Sequence, residues 1–104
     1  MFGKKKEQKL VKSGDSIKRL AEEFNPAIAL SKEESGAEEL RRLQRTVGYF
    51  YPKAGDELNR LEKKIKSCVD DVKDALTAKN FDAAKYKTAF AALERAVAER
   101  ESKN

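Results

Sequence analysis

Histidine is absent from the chain, and cysteine occurs once in 104 residues. Without histidine there is no Ser-His or Cys-His nucleophile pair, and the commonest general base and metal ligand are both missing. The single Cys68 excludes an intramolecular disulfide framework and a structural zinc site, and it points to a reducing compartment. It falls on an apolar seam between Ile65 and Val72, the setting of a buried, inert thiol. Long hydrophobic runs are lacking too. Nowhere do about eighteen apolar residues follow one another, so no membrane-spanning segment is expected. The start, Met1 to Lys6, is positive like the head of a signal peptide but is not followed by an apolar stretch. A cytoplasmic location is the expectation. There is no phosphate-cradling glycine loop, no paired-histidine zinc helix and no EF-hand pattern.

Charge is abundant, but it is unevenly spread. Residues 1 to 20 hold seven Lys or Arg against two acids, Glu7 and Asp15, which accounts for the whole net charge of +5. The rest of the chain holds 23 − 7 = 16 basic and 18 − 2 = 16 acidic residues and is neutral. The basic character therefore belongs to a tail rather than to a body. Residues 1–13 read as a flexible basic arm and residues 14–104 as a single helical domain.

Within that domain the apolar residues recur at helical spacing. Asp15 or Ser16 is placed to cap a first helix, with Ile17, Leu20, Ala21 and Phe24 on one face. Asn25-Pro26 is expected to end it, because the residue before proline is driven out of helical geometry. Residues 26–34 then read as a loop that docks Ile28 and Leu30. Ser35 and Glu38 form a capping-box pattern, and Leu40, Leu43, Val47 and Phe50 follow on an inward face. Pro52 interrupts this register, which resumes after a one-residue slip with Leu58, Leu61, Ile65, Cys68, Val72 and Leu76. A kinked long helix and two helices at a tight angle both fit this pattern. Asn80 or Asp82 caps a last helix whose apolar face is Tyr86, Phe90, Leu93 and Val97. The short turn at Lys79-Asn80 predicts a C-terminal antiparallel helical hairpin.

The fold class expected is all-α: a small up-down bundle of three to four helices, with the segment from Ser35 to Asn80 kinked at Pro52. The core expected is Leu20, Phe24, Leu40, Leu43, Val47, Phe50, Leu58, Leu61, Ile65, Val72, Leu76, Phe90, Leu93 and Val97. Were the long segment straight, its seam would outrun the first helix and call for a second copy of the chain, a homodimer.

Carboxylates are interleaved with bases, as in Glu62-Lys63-Lys64 and Glu94-Arg95, the pattern of solvated helix faces. Asp70 and Asp74 share a face, but Lys66 and Lys73 stand beside them, so no metal and no cofactor is expected. Three consecutive aromatics, Tyr49, Phe50 and Tyr51, cannot all enter one core. The structural reading packs Phe50 inward, sets a flanking tyrosine at the rim of the core, and has Pro52 bend the helix over it. The functional reading makes Tyr49 and Tyr51, beside Arg41, Arg42 and Arg45, a partner-docking patch. In the arm, Lys4, Lys5, Lys6, Lys9 and Lys12 have the composition to neutralise nucleic-acid phosphates or to meet anionic lipid at about 1 kcal/mol per lysine, with Phe2 as a minor anchor.

Between Glu39 and Lys64 the stretch ELRRLQRTVGYFYPKAGDELNRLEKK resembles part of a bacterial helical family named for 5-bromo-4-chloroindolyl phosphate hydrolysis. In that family a leucine- and arginine-bearing helix runs into paired aromatics, a proline and a second leucine-bearing helix. Its typical members are longer and begin with a hydrophobic membrane region that has no counterpart here. The resemblance implies an all-helical bundle and transfers no catalytic residue. Taken together, the sequence predicts a non-enzymatic helical interaction module, self-associating or docking another protein. The alternative is a protein tethered to nucleic acid or to an anionic membrane surface through its arm.

Overall fold

The computed structural model describes residues 14–104. The expectations for the lysine arm, including Lys4, Lys5, Lys6, Lys9, Lys12 and Phe2, lie outside the described residues. Those described are all-helical: α1 (Gly14–Glu22), α2 (Phe24–Leu30), α3 (Glu34–Gly48), α4 (Asp56–Thr77) and α5 (Ala83–Glu101). They pack in a bundle-like arrangement around one apolar core, in which Phe24, Leu40, Val47, Ile65, Val69, Val72 and Leu93 are fully enclosed. The longest helices, α4 and α5, share the most extensive contact of any pair.

Pro26 does not end the first helical run, as the sequence suggested. It sits in the first turn of α2, where a missing N–H costs nothing because no carbonyl awaits it. Only Glu23 separates α1 from α2; its backbone is itself helical, and its N–H bonds to the carbonyls of Arg19 and Leu20, both at 3.1 Å. The chain thus bends instead of unwinding, and the expected loop over residues 26–34 is largely helix. Ala27 is buried, Ile28 is half-buried and Leu30 is exposed. Gln44 braces the bend from α3, donating from Nε2 to the Ala21 carbonyl and to Asn25 Oδ1, each at 2.8 Å.

The long segment is broken rather than kinked at Pro52. Helix α3 stops at Gly48 and α4 begins at Asp56. Proline at position 52 has no N–H to offer the Gly48 carbonyl one turn back, and it drives Tyr51 out of helical geometry. Gly55 completes the break with φ +150°, a conformation that side chains disfavour. A straight seam from Ser35 to Asn80 does not exist, so the homodimer argued from its overhang loses its premise. The Ser35–Glu38 capping box is also not formed: the cap position falls two residues earlier, at Glu33, which makes no side-chain cap bond. Asp82 does cap α5, accepting from the N–H groups of Ala84 and Lys85 at 2.9 and 3.4 Å.

Leu58 and Phe90 are only half-buried, the two departures from the expected core. Two charged residues occupy the interior instead. Arg100 is fully buried, and its Nε donates to Glu62 Oε2 at 2.8 Å. The same guanidinium donates to the Tyr51 carbonyl at 2.7 Å and to Asn104 Oδ1 at 2.9 Å, and lies 4.7 Å from the centroid of the Phe50 ring. Glu62 is 8% exposed, contrary to the solvated face expected of Glu62-Lys63-Lys64. Further ion pairs join the early turns of α4 to the end of the chain, Lys64 to Glu99 and Glu57 to Lys103, both at 3.6 Å. Among the described residues, no helix is long and apolar enough to cross a membrane.

Candidate functional site

The aromatic-proline loop, residues 49–55, is held by its backbone while two of its rings stand in water. Phe50 is 3% exposed, whereas Tyr49 and Tyr51 are 83% and 63% exposed. The Tyr51 N–H donates to Asn104 Oδ1 at 3.0 Å, its carbonyl accepts from Arg100, and Lys53 Nζ donates to the Lys103 carbonyl at 3.1 Å. Lys53 also lies 5.9 Å from the centroid of the Tyr51 ring. This explains how two large rings remain at the surface: the loop's position is fixed through main-chain groups and through Phe50, and neither tyrosine ring belongs to the core.

Arg41 and Arg45 lie four residues apart on α3, the helix that leads into Tyr49. Arg41 is engaged by Glu34 at 3.2 Å and by Glu38 at 3.1 Å. Hydrogen bonds to those two carboxylates push its pKa upward. Arg42 crosses to α5 and pairs with Glu94 at 3.2 Å. Arg45 is exposed, four residues before Tyr49.

A second surface, not foreseen as a site, is a groove of about 550 Å³ at the opposite end of α3. Its floor is an aromatic ladder on and before α5. The Phe81 and Tyr86 rings are tilted with centroids 6.1 Å apart, and the Tyr86 and Phe90 rings are stacked, also at 6.1 Å. Phe81 is 48% exposed. Tyr86 and Phe90 are half-buried against the core, and the other apolar residues in the first half of α5 are alanines, at 83, 84, 89, 91 and 92. All of its fully buried residues, from Leu93 to Arg100, lie in the second half.

The opposite wall is the start of α3. Gly36 faces the Tyr86 hydroxyl: a Cβ there would lie 3.5 Å from that oxygen and 3.0 Å from Ser31 Oγ, so a larger residue would crowd the rim. Glu33, Glu39 and Glu94 supply acidic edges, with Lys32 and Lys87 as the basic ones. Burial, reinforced by Glu39 and Glu33, pushes the Tyr86 phenol up from its ordinary value. A phenol held neutral in the fold favours folding below the unfolded phenol pKa, and this contribution fades as pH rises through the folded value. Tyr86→Phe should therefore remove a component of the phenolate absorbance that titrates above the ordinary phenol range. The same substitution should lessen the alkaline loss of stability. Loss of a component that titrates in the ordinary phenol range would contradict this placement.

Cys68 is buried, and its thiol is pushed up first by that burial and then by Asp71, with Lys64 opposing. Asp70 lies between Lys66 and Lys73, at 3.1 and 3.2 Å. Burial tends to raise its pKa, but the two lysines together hold it below the usual carboxylate value. Among the described residues, no three of His, Cys, Asp or Glu are grouped to hold a metal ion. The arrangement offers two exposed tyrosines between basic residues at one end of α3 and an open aromatic groove with acidic edges at the other. No protein family matches the chain, nor does any curated protein or solved structure, so no relative bears on the resemblance over residues 39–64.

Proposed function

We propose that this protein is a non-enzymatic interaction module whose recognition surface is the aromatic groove between the start of α3 and the start of α5. The observation that carries this reading is the Phe81–Tyr86–Phe90 ladder, exposed at Phe81 and half-buried at Tyr86 and Phe90, along a groove edged by Glu33, Glu39 and Glu94. Aromatic side chains give large contact areas at low entropic cost, and rim carboxylates select the charge of the approaching partner. The groove suits a protein segment that presents an apolar or aromatic side chain next to Lys or Arg. The hairpin beneath it is antiparallel in this reading, supported by the pairs Glu57–Lys103, Glu62–Arg100 and Lys64–Glu99. Cys68 as a lone thiol supports a cytoplasmic location.

Selection of short random peptides on the immobilised protein, counter-selected on Phe81→Lys, tests the reading. Enriched peptides should combine an aromatic or aliphatic residue with a base and should lose binding to the variant. Peptides that bind both proteins equally would overturn it.

A second reading draws on the charge of residues 1 to 20, where the whole +5 resides. There Lys4, Lys5, Lys6, Lys9 and Lys12 tether the bundle to nucleic acid or to an anionic membrane surface. Deleting residues 1–13 should then abolish binding and leave helical content intact, and binding should weaken steeply with salt. Binding that ignored ionic strength would count against this reading.

A further inference from the structure

The occupant proposed for the groove is defined by the other end of the same helix. Tyr49 and Tyr51 protrude from a loop whose backbone is held by Arg100, Asn104 and Lys103. The loop is therefore shaped before it meets anything, which reduces the ordering cost of an association. Lys53 lies by the Tyr51 ring and Arg45 precedes Tyr49 by four residues, whereas Glu33 and Glu39 stand beside the Tyr86 phenol in the groove. Protruding aromatics near bases thus answer a groove whose Tyr86 stands among acids, Glu33 and Glu39, with Lys32 and Lys87 also in its lining.

Within one chain the two surfaces cannot meet. From Gly36 to Tyr49 is 49 − 36 = 13 residues of α3 and its last turn, about 20 Å at the rise of a helix. A rigid helix therefore holds the loop away from its own groove.

We infer that the Tyr49–Lys53 loop of one copy docks in the Phe81–Tyr86–Phe90 groove of another, joining copies of the chain through two different surfaces. The inference rests on the groove being the recognition surface, and it names a second copy as its occupant. Two chains laid side by side in opposite directions would make the contact twice; in any other arrangement it closes a ring or propagates.

Sedimentation velocity over a concentration series tests this with two variants altered at exposed positions, Tyr49→Ala/Tyr51→Ala and Phe81→Lys. Far-UV circular dichroism and a thermal midpoint serve as checks on folding. The wild-type protein should associate as concentration rises, and less so in high salt. Each variant alone should remain monomeric. An equimolar mixture of the two should form a one-to-one complex, because the first retains its groove and the second its loop. Association by either variant alone, or a mixture that stays monomeric, would overturn the inference. A monomeric wild-type protein that still captures groove-selected peptides would overturn the second copy as occupant and leave the groove reading standing. A protein that does neither would overturn both.

Discussion

Replacing Arg100 by Met should lower the unfolding free energy by about 3–5 kcal/mol, the range found when one partner of a buried ion pair is removed. The residue is fully buried, and its guanidinium serves Glu62, the Tyr51 carbonyl and Asn104 at once. It also lies against the Phe50 ring. Without it, the Glu62 carboxylate is left in a site 8% exposed and has lost its guanidinium, and the loop carbonyl loses a charge-assisted bond. A domain of this size is stable by roughly 5–15 kcal/mol in total, so the single variant approaches the folding threshold. The double variant Glu62→Leu/Arg100→Met should recover much of the loss, since an apolar pair of similar volume removes the buried carboxylate together with the guanidinium. Urea unfolding measures all three proteins. A loss below about 1 kcal/mol in Arg100→Met would mean that water reaches Glu62 freely, contrary to the packing described.

Phe24→Ala should cost about 3–5 kcal/mol, the range for truncating a large buried aromatic ring. Phe24 opens α2 and is completely enclosed, and α2 packs against both α3 and α4. Seven residues are too few to hold a helix by themselves. The short segment therefore depends on Phe24 and Ala27 for its place, and the truncation should loosen all of α2 as well as leave a cavity. Hydrogen exchange at Ala27 to Leu30 should quicken more in this variant than exchange along α4. Equal effects on both segments would contradict a local role for Phe24.

The seam of α4 was legible because Leu61, Ile65, Cys68, Val72 and Leu76 repeat at steps of three and four without a glycine or proline among them. Three consecutive residues cannot share one helical face, so geometry required at least one of the three aromatics to turn outward; that both tyrosines do, with neither at the rim of the core, was not legible. The buried pair was missed because charged residues were read as surface wherever they alternated in sign. Register did hold the signal. Arg100 follows Leu93, Ala96 and Val97 at helical steps, and Glu62 precedes Ile65 and Val69 in the same way. At Pro26 a local rule was applied too strongly, since a proline ends a helix only if it does not begin the next. The groove had a weak mark in the sequence, an aromatic at Phe81 in an otherwise polar turn. Its other wall depends on Gly36 reaching Tyr86, fifty residues along the chain (86 − 36 = 50), and no local pattern encodes that approach.

Amide chemical-shift mapping with a groove-selected peptide tests the central claim most directly, because it separates the groove from the lysine arm in one experiment. The account predicts that shifts concentrate at Gly36, Glu39, Phe81, Tyr86 and Phe90 and are lost in Phe81→Lys. Shifts confined to residues 1–13, with the groove amides unmoved, would contradict it.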